Sequence, residues 1–131
     1  MMSLIKNKRH LSQSIDFSGV QNVNIHPTDI DAVLEFDNEV LILIELKYND
    51  SVIPTGQRLV LERICDSWHT KKSVVLKAVH YTESEKNIPL ELCRVTKFYH
   101  NGSWKVPKSN KYIPQVINDI GEQFNSNKCK F

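Results

Sequence analysis

The sequence predicts an α/β protein built on a mixed β-sheet. Two apolar segments rich in Val, Ile, Leu and Phe flank the turn-forming residues 37–39, a pattern typical of a β-hairpin. A segment with helical periodicity follows at residues 55–68, and another apolar segment at residues 73–81. Because a helix connects these last two strands, we expect a right-handed crossover, with residues 73–81 parallel to the second strand of the hairpin.

The composition fits a single domain over residues 1–131. Of the 131 residues, 40% are hydrophobic and 24% charged, which is ordinary for a globular protein. The formal net charge of +2 is nearly neutral, so any basic surface must be local. No apolar run approaches the length that crosses a bilayer, and the N-terminus lacks the long apolar region of a signal peptide. We therefore expect a cytoplasmic protein with no membrane partner.

The cysteines are Cys65, Cys93 and Cys129, an odd number with no close pair. Neither a disulfide framework nor a zinc knuckle fits this spacing. We therefore expect reduced thiols, with Cys65 filling the core inside an apolar helical pattern.

The N-terminal region carries the first expected elements. Apolar residues predict a short helix over residues 1–15, with a basic cluster that includes Lys8 and Arg9. Residues 17–25 alternate loosely and contain Gly19, which indicates either a first strand or an irregular edge segment that enters the hairpin.

The length of the hairpin loop decides which side chains meet across the hairpin. A three-residue loop, residues 37–39, places Phe36 opposite Val40. The same register places Asp31 directly opposite Glu45. A loop of two or four residues would put the two acids on opposite faces of the sheet.

Facing acids require a compensating positive charge. Like charges opposite one another destabilise a sheet, and burial adds to the cost unless the charges are paired or bind a metal. Lys47 lies on the same face as Glu45, where this register pairs it with Asp29. A divalent cation between Asp31 and Glu45 is the simplest further compensation, since Mg²⁺ takes oxygen ligands and commonly uses one or two carboxylates.

The helix expected over residues 55–68 follows a polar loop closed by Pro54. Thr55 is the expected N-cap. The apolar stripe of this helix consists of Leu61, Ile64, Cys65 and Trp68. Gln57 lies one turn before that stripe, and two roles are open for it: its amide either satisfies free backbone groups at the helix start or reaches the carboxylate site.

A second hairpin and a C-terminal helix complete the chain. Asn101-Gly102 joins residues 94–100 to residues 103–106 and is a strong hairpin signal. This hairpin mixes basic and aromatic groups, as nucleic-acid surfaces do and as many exposed hairpins also do. Residues 113–124 have helical periodicity, with Pro114 suited to a first turn, and are expected to cover one face of the sheet.

The motifs Pro27-Thr28-Asp29-Ile30-Asp31 and Glu45-Leu46-Lys47 resemble the signature of the PD-(D/E)XK nuclease superfamily. In that pattern an Asp on one core strand is followed by an (Asp/Glu)-x-Lys on the next. The similarity is closest in the hairpin and extends over residues 24–82; the chain looks like the small phage, Holliday-junction-resolvase-like or VRR-NUC-like members. The family's Pro-Asp dipeptide is loosened to Pro-Thr-Asp-Ile-Asp, which leaves both Asp29 and Asp31 as candidate ligands, and the hairpin register favours Asp31.

The resemblance implies a restriction-endonuclease-like core, α-β-β-β-α-β, with a mixed central sheet to which this chain adds a C-terminal β-hairpin and a C-terminal helix. It implies that Asp31, Glu45 and the backbone carbonyl of Leu46 bind Mg²⁺ or Mn²⁺, with Asp29 as the alternative ligand. Lys47 would orient or deprotonate the attacking water, and orientation is favoured because nearby carboxylates oppose loss of its proton.

The resemblance also extends to the start of the following helix. Gly56-Gln57-Arg58 is similar to the element with which superfamily members often open that helix, so Gln57 joins the implied catalytic set. Many members carry a further Glu on the first helix. No Glu precedes Glu35 here, and the early acid is Asp16.

The implied activity is that of a Mg²⁺-dependent nuclease, an endonuclease acting on DNA, with RNA as the alternative substrate. A small domain that cuts both strands is expected to act as a homodimer. The expected nucleic-acid-binding residues are Lys8, Arg9, Arg58, Lys97, Trp104 and Lys105.

Two other classes of function compete with the nuclease hypothesis. In the first, the nuclease fold is kept as a catalytically inactive DNA-binding or protein-interaction module, which the missing first-helix Glu supports. In the second, the protein is a small assembly protein whose charges are all solvated, which requires a hairpin loop of two or four residues.

Overall fold

The computed structural model describes residues 15–131 and shows an α/β fold with a five-stranded mixed sheet and two α-helices. The strands are β1 (Ala32–Phe36), β2 (Val40–Tyr48), β3 (Ser73–His80), β4 (Arg94–His100) and β5 (Ser103–Lys105), and the helices are α1 (Thr55–Ser67) and α2 (Ile113–Gln123). A short 3-10 helix, Leu90–Leu92, precedes β4. The strands lie in the order β1-β2-β3-β4-β5; β2 and β3 are parallel, and all other neighbours are antiparallel.

The hairpin β1–β2 has the register predicted for a three-residue loop. Phe36 pairs with Val40 and Ala32 pairs with Ile44, so the next position outward sets Asp31 beside Glu45. The loop forms because its Asp and Asn residues adopt left-handed backbone conformations, with φ of 53° and 61°. The assembly-protein hypothesis requires a loop of two or four residues, and the structure contradicts that requirement. A three-residue loop puts both acids on one face of the sheet.

The two faces of the sheet are packed by different helices. Because side chains alternate along a strand, neighbouring residues of β2 and β3 face opposite helices. The core on the α2 side consists of Val40, Ile42, Ile44, Val74, Leu76, Ala78, Cys93, Val95, Ile113, Ile117 and Cys129. The core on the α1 side consists of Leu41, Leu43, Leu61, Cys65, Val75 and Tyr99. Strands covered on both sides read as continuous apolar runs, and in these two strands Glu45 and Lys77 are the buried charged exceptions.

The crossover from β2 through α1 to β3 has the predicted parallel arrangement. Glu45 pairs with Lys77, and Lys47 with Val79. The predicted N-cap of α1 is wrong by one residue: Pro54 occupies that position, and no side chain caps the helix. The proline ring fixes an extended entry into the helix, and the backbone N–H of Arg58 donates to the Pro54 carbonyl as the first intrahelical bond, at 2.9 Å.

The segment before the hairpin is irregular instead of a first strand. Residues 17–25 form turns and bends, and the backbone N–H groups of Asn24 and Ile25 donate to the Asn22 side chain at 2.8 Å. An asparagine that binds the backbone two residues on favours a turn over a ladder. Within residues 15–131, two strands rather than three precede α1. The helix predicted over residues 1–15, with Lys8 and Arg9, lies outside the described residues.

The C-terminal hairpin and helix agree with the sequence. Asn101 and Gly102 have φ of 50° and 86°, the conformation that a two-residue hairpin loop requires. Helix α2 covers one face of the sheet as predicted. The chain after α2 turns back against it so closely that a Cβ at Gly121 would overlap the backbone oxygen of Cys129. All three cysteines are buried free thiols.

Replacing Gly121 by Ala tests this close approach. The added methyl would push the segment at Cys129 out of the core, and overpacking of this kind costs about 1–3 kcal/mol. We expect Gly121→Ala to lower the urea midpoint of unfolding, whereas Gln123→Ala, an exposed position on the same helix, should leave it unchanged. An unaltered midpoint in Gly121→Ala would contradict the packing described here.

Candidate functional site

Asp31 lies one residue before β1. Its side-chain carboxylate accepts a hydrogen bond from the backbone of β2 just beyond the last pair of the β1–β2 ladder. The N–H of Leu46 donates to Oδ2 of Asp31 at 2.8 Å. In a strand, the N–H and C=O of one residue point to the same side. The carbonyl of Leu46 therefore also faces the side on which Asp31 lies, as the predicted ligand set requires.

Glu45 is a buried acid, and one of its two carboxylate oxygens lacks a hydrogen-bond partner among the described residues. The residue is 2% exposed, and its Oε1 accepts a hydrogen bond from Gln57 Nε2 at 2.9 Å. Lys47 Nζ lies 3.4 Å from the same oxygen. Oε2 is buried and has no hydrogen-bond partner among the described residues. A buried polar atom without a partner is costly, so this oxygen is suited to a ligand.

The environment of Glu45 changes its acidity. Burial, and after it the negative charge of Asp31, together raise the pKa of its carboxyl from 4.5 to about 7, while Lys47 opposes the shift. The carboxyl therefore holds its proton to a higher pH than an exposed Glu does. A bound cation would displace that proton, because it stabilises the charged form that burial and Asp31 disfavour.

Gln57 connects the three segments that form the site. Its Nε2 donates to Glu45 and, at 3.2 Å, to the backbone carbonyl of Asp29. Its Oε1 accepts a hydrogen bond from Lys47 Nζ at 3.3 Å. Of the two roles open for Gln57, the structure shows the one in which the amide reaches the carboxylate site. It does so because the first turn of α1 lies above the end of β2.

The donor set fits a hard divalent cation that keeps much of its water. Asp31 and Glu45 bring two carboxylates together, and the Leu46 carbonyl faces the same side. Within residues 15–131, no group of three or more His, Cys, Asp or Glu side chains is placed to hold a metal. Few protein ligands and several retained waters are typical of Mg²⁺ and unlike a dedicated protein cage.

The alternative ligand, Asp29, contributes through its backbone. The residue is exposed and lies before the bend that precedes β1, so the predicted pairing of Asp29 with Lys47 is wrong: the ladder ends at Ala32. Lys47 turns to Glu45 and Gln57 instead. The geometry thus favours Asp31 as the carboxylate partner of Glu45.

Four of the predicted nucleic-acid-binding residues lie within the described residues: Arg58, Lys97, Trp104 and Lys105. Arg58 and Trp104 both contact Glu62, Arg58 through an ion pair at 2.5 Å and Trp104 through an Nε1–H hydrogen bond at 2.8 Å. The Trp104 ring also packs on Tyr99, at 5.4 Å between centroids, so its face is partly occupied. Lys97 and Lys105 are exposed on β4 and β5, and Lys8 and Arg9 lie outside the described residues.

A second ion pair, between a buried lysine and an exposed aspartate, was missed by sequence reasoning. Lys77, 6% exposed, places its Nζ 3.1 Å from Asp50 Oδ1, and Thr96 donates to the same oxygen at 2.9 Å. Although partial burial opposes it, the hydrogen bonds from Thr96 and Lys77 hold the pKa of Asp50 below its ordinary value. The pair fixes the loop between β2 and α1 onto the sheet. The available signal was a lone lysine inside an otherwise apolar central strand.

No family model, curated protein or solved structure matches this chain. Among the helices of residues 15–131, none is both long and apolar enough to cross a bilayer. The class that the fold defines is an α/β protein with a five-stranded mixed sheet and two helices.

The raised pKa of Glu45 predicts how cation affinity depends on pH. Protons and cations compete for the same carboxylate, so Mn²⁺ should bind about tenfold more weakly for each pH unit below 7 and become insensitive to pH above 8. Titration calorimetry between pH 5.5 and 8.5 measures this. Asp31→Asn should abolish binding while still accepting the Leu46 hydrogen bond. Equal Mn²⁺ affinity in the wild type and Asp31→Asn would contradict the site.

The same shift predicts a stability effect in EDTA. Because the folded-state pKa of Glu45 is raised, its neutral form stabilises the fold at low pH, and this contribution is lost as the pH rises from 4.5 through about 7. Glu45→Gln keeps the size of the side chain and its ability to form hydrogen bonds but carries no charge. The variant should therefore lack the decrease in the free energy of unfolding, on the order of 3 kcal/mol, that the wild type shows as the pH rises. Urea unfolding at pH 5 and pH 8 tests this; identical pH dependence in both proteins would refute it.

Proposed function

We propose that this protein is a metal-dependent nuclease that hydrolyses phosphodiester bonds of DNA. The observation that carries the proposal is the convergence of Asp31, Glu45, Lys47 and Gln57, with a buried Glu45 oxygen that has no hydrogen-bond partner among the described residues. An acid buried beside a second acid destabilises a fold unless a ligand uses it. Hairpin, helix and parallel strand also follow one another in the order of the PD-(D/E)XK core, which supports a restriction-endonuclease-like arrangement.

Asp31, Glu45 and the Leu46 carbonyl would hold Mg²⁺ or Mn²⁺. When bound, the ion supplies Lewis-acid activation of the phosphodiester and of the attacking water. The carboxylates lie near the carboxyl end of β2, beside its parallel neighbour β3. Ligands of α/β sheets bind at the carboxyl ends of parallel strands, so a phosphodiester would reach this site from that edge.

Lys47 would position the reacting groups and offset negative charge. Its Nζ is held by Glu45 at 3.4 Å and by Gln57 at 3.3 Å, and its side chain is 18% exposed. Held between these two groups, Lys47 would act as a fixed positive charge rather than as a base. Such preorganised charge is effective where a phosphate gains negative charge in the transition state.

Gln57 would keep Lys47 and Glu45 aligned. A neutral amide can donate to the acid and accept from the amine at once, which a charged residue cannot do without an added ionic cost. The hydrogen bond to the Asp29 carbonyl fixes the chain leading into Asp31 as well. The Gln57 side chain therefore holds both of the segments that carry the acids of the site.

We also propose that the protein acts in the cytoplasm as a homodimer. Three buried free thiols support a reducing compartment. A symmetric pair of identical sites is the simplest way for a small domain to cut both strands of DNA.

The second candidate function is an inactive nuclease-fold module that binds nucleic acid or protein. One observation favours it: within the described residues the cluster offers two acids rather than three, and the sequence lacks a Glu before Glu35. An inactive module would show no cleavage under any metal condition.

Replacing Lys47 by Ala separates these functions. We expect wild-type protein to cleave plasmid or single-stranded DNA with Mg²⁺ or Mn²⁺ but not in EDTA, and Lys47→Ala to be at least about a hundredfold slower. Lys86→Ala, at an exposed lysine that pairs with Glu83, is the matched control and should cleave normally. Circular dichroism checks the fold of each variant. Full activity in Lys47→Ala, or none in the wild type, would refute the proposal.

A further inference from the structure

Two cavities lie side by side at the start of β4, away from Asp31. They share Arg94 and Asn110 in their linings. The larger, of about 460 Å³, is lined by basic side chains and is called here the basic hollow: Arg94, Lys97 and Lys108, with Thr96 and Asn110. The smaller, of about 270 Å³, is lined by ring side chains and is called the aromatic hollow: His80, Tyr81 and Tyr112, with Arg94 and Asn110.

The basic hollow exists because β5 is short. The β5 strand pairs with β4 only as far as Phe98, and the chain returns to β4 where Arg94 bridges Tyr112. Between these points, residues 106–110 run away from the sheet and leave the edge of β4 near Thr96 open. A register shift in the pairing of β3 with β4 occurs at the same level. Bulges of this kind often lie next to binding sites, where they redirect side chains.

The charge of the basic hollow is available to a ligand. Among the ion pairs of residues 15–131, none includes Arg94, Lys97 or Lys108. Asp50 is the acid in the lining, and Lys77 already neutralises it at 3.1 Å. The hollow is therefore a positive concavity, and its complement is an anion such as a phosphate of a nucleic-acid strand.

The aromatic hollow offers ring faces directly beside that charge. Tyr81 is 63% exposed and Tyr112 49% exposed. The His80 ring is held by the ring of Tyr48, at 5.6 Å between centroids, and its Nδ1 accepts a hydrogen bond from the Thr82 N–H at 3.3 Å. Aromatic faces beside a cationic groove are the combination that binds an unstacked base and its phosphate. Bases inside a duplex are stacked and paired, so they cannot enter such a hollow.

The hollows and the candidate catalytic site lie at the same level of the sheet, two strands apart. Lys47 pairs with Val79, and Val79 pairs with Arg94. With strands spaced about 4.8 Å apart, the backbone of Arg94 lies about 10 Å from that of Lys47. A strand held at Arg94 would therefore reach Lys47 within a few nucleotides.

We propose that the basic and aromatic hollows together bind one nucleotide of an unpaired strand, its phosphate in the basic hollow and its base in the aromatic hollow. If the bound nucleotide belongs to the substrate, the proposal rests on the proposed nuclease function. The substrate is then a nucleic acid with a single-stranded stretch beside the scissile bond. Binding by the hollows does not itself depend on cleavage.

Fluorescence anisotropy in EDTA tests the binding site without catalysis. The probes are a single-stranded oligonucleotide, the blunt duplex of the same sequence, and a single strand with abasic positions. We expect the wild type to bind the single strand more tightly than the duplex. The double variant Lys97→Ala/Lys108→Ala should bind the single strand about tenfold more weakly, with a salt dependence shallower by about 0.7 in the logarithmic slope, since the basic hollow holds one phosphate. Lys128→Ala/Lys130→Ala removes the same charge beside the β1–β2 loop and should bind like wild type.

Tyr81→Leu tests the base-binding half of the proposal. Loss of one stacked base should weaken single-strand binding about tenfold, and the abasic strand should not distinguish Tyr81→Leu from wild type. Wild-type affinity in Lys97→Ala/Lys108→Ala, equal losses in both double-lysine variants, or tighter binding of the blunt duplex would overturn the proposal. So would equal effects of Tyr81→Leu on the normal and abasic strands.

The cleavage assay with Lys47→Ala distinguishes the two proposals. Selective single-strand binding without cleavage by the wild type would refute the nuclease function and leave the binding site standing. Cleavage that depends on Lys47 but not on Lys97, Lys108 or Tyr81 would refute the hollows as a substrate site and leave the nuclease function standing.

Discussion

The pairing of β1 with β2 in a single register is the constraint on which the rest of the site depends. The loop at residues 37–39 fixes that register, and with it the face on which every hairpin side chain lies. A slip of one residue in this pairing would move Asp31 to the face opposite Glu45. In the observed register Asp31 meets Glu45, and its carboxylate continues the ladder by accepting the Leu46 N–H. A structural hydrogen bond and a candidate ligand thus belong to one carboxyl group.

Burial of Glu45 gives the site its chemical character. An acid 2% exposed beside another acid resists ionisation, and the partial compensation comes from two neighbours, Gln57 and Lys47. Among residues 15–131, that compensation leaves Oε2 without a hydrogen-bond partner. Such a group reduces stability when no ligand is present, and a bound cation would remove the cost that burial imposes. Stability and binding are therefore opposed at this position, as is common at functional sites.

The loop between β2 and α1 connects the candidate site with the hollows at β4. Asp50 in this loop reaches the buried Lys77 on β3 and Thr96 on β4, so these two contacts fix the loop to the sheet. The fixed loop sets the start of α1, which carries Gln57 to Glu45. Asp50 pairs with Lys77, and within residues 15–131 no ion pair includes Arg94 or Lys97 on β4. The same contact therefore shapes both regions.

Most of the secondary structure was predictable because its signals are local. The apolar runs of β2 and β3, the periodicity of α1 and α2, and the Asn101-Gly102 turn each specify their element through side-chain spacing or backbone preference. Two details were decided by local contacts as well. For residues 17–25 a strand and an irregular segment were both open, and the structure shows the irregular one, because the Asn22 side chain binds the following backbone and forms a turn. The predicted N-cap of α1 was wrong, since Pro54 occupies that position in place of Thr55.

The sequence by itself determined the hairpin and made the meeting of Asp31 with Glu45 follow from a three-residue loop, because strand periodicity turns residue number into a face of the sheet. The structure then shows the register of that loop. Only the tertiary structure decided that Glu45 is buried with an oxygen left over, and that Lys77 pairs with Asp50. Both facts depend on where a helix and a loop that are distant in sequence pack against the sheet. The spacing of side chains along one strand carries no information about that packing.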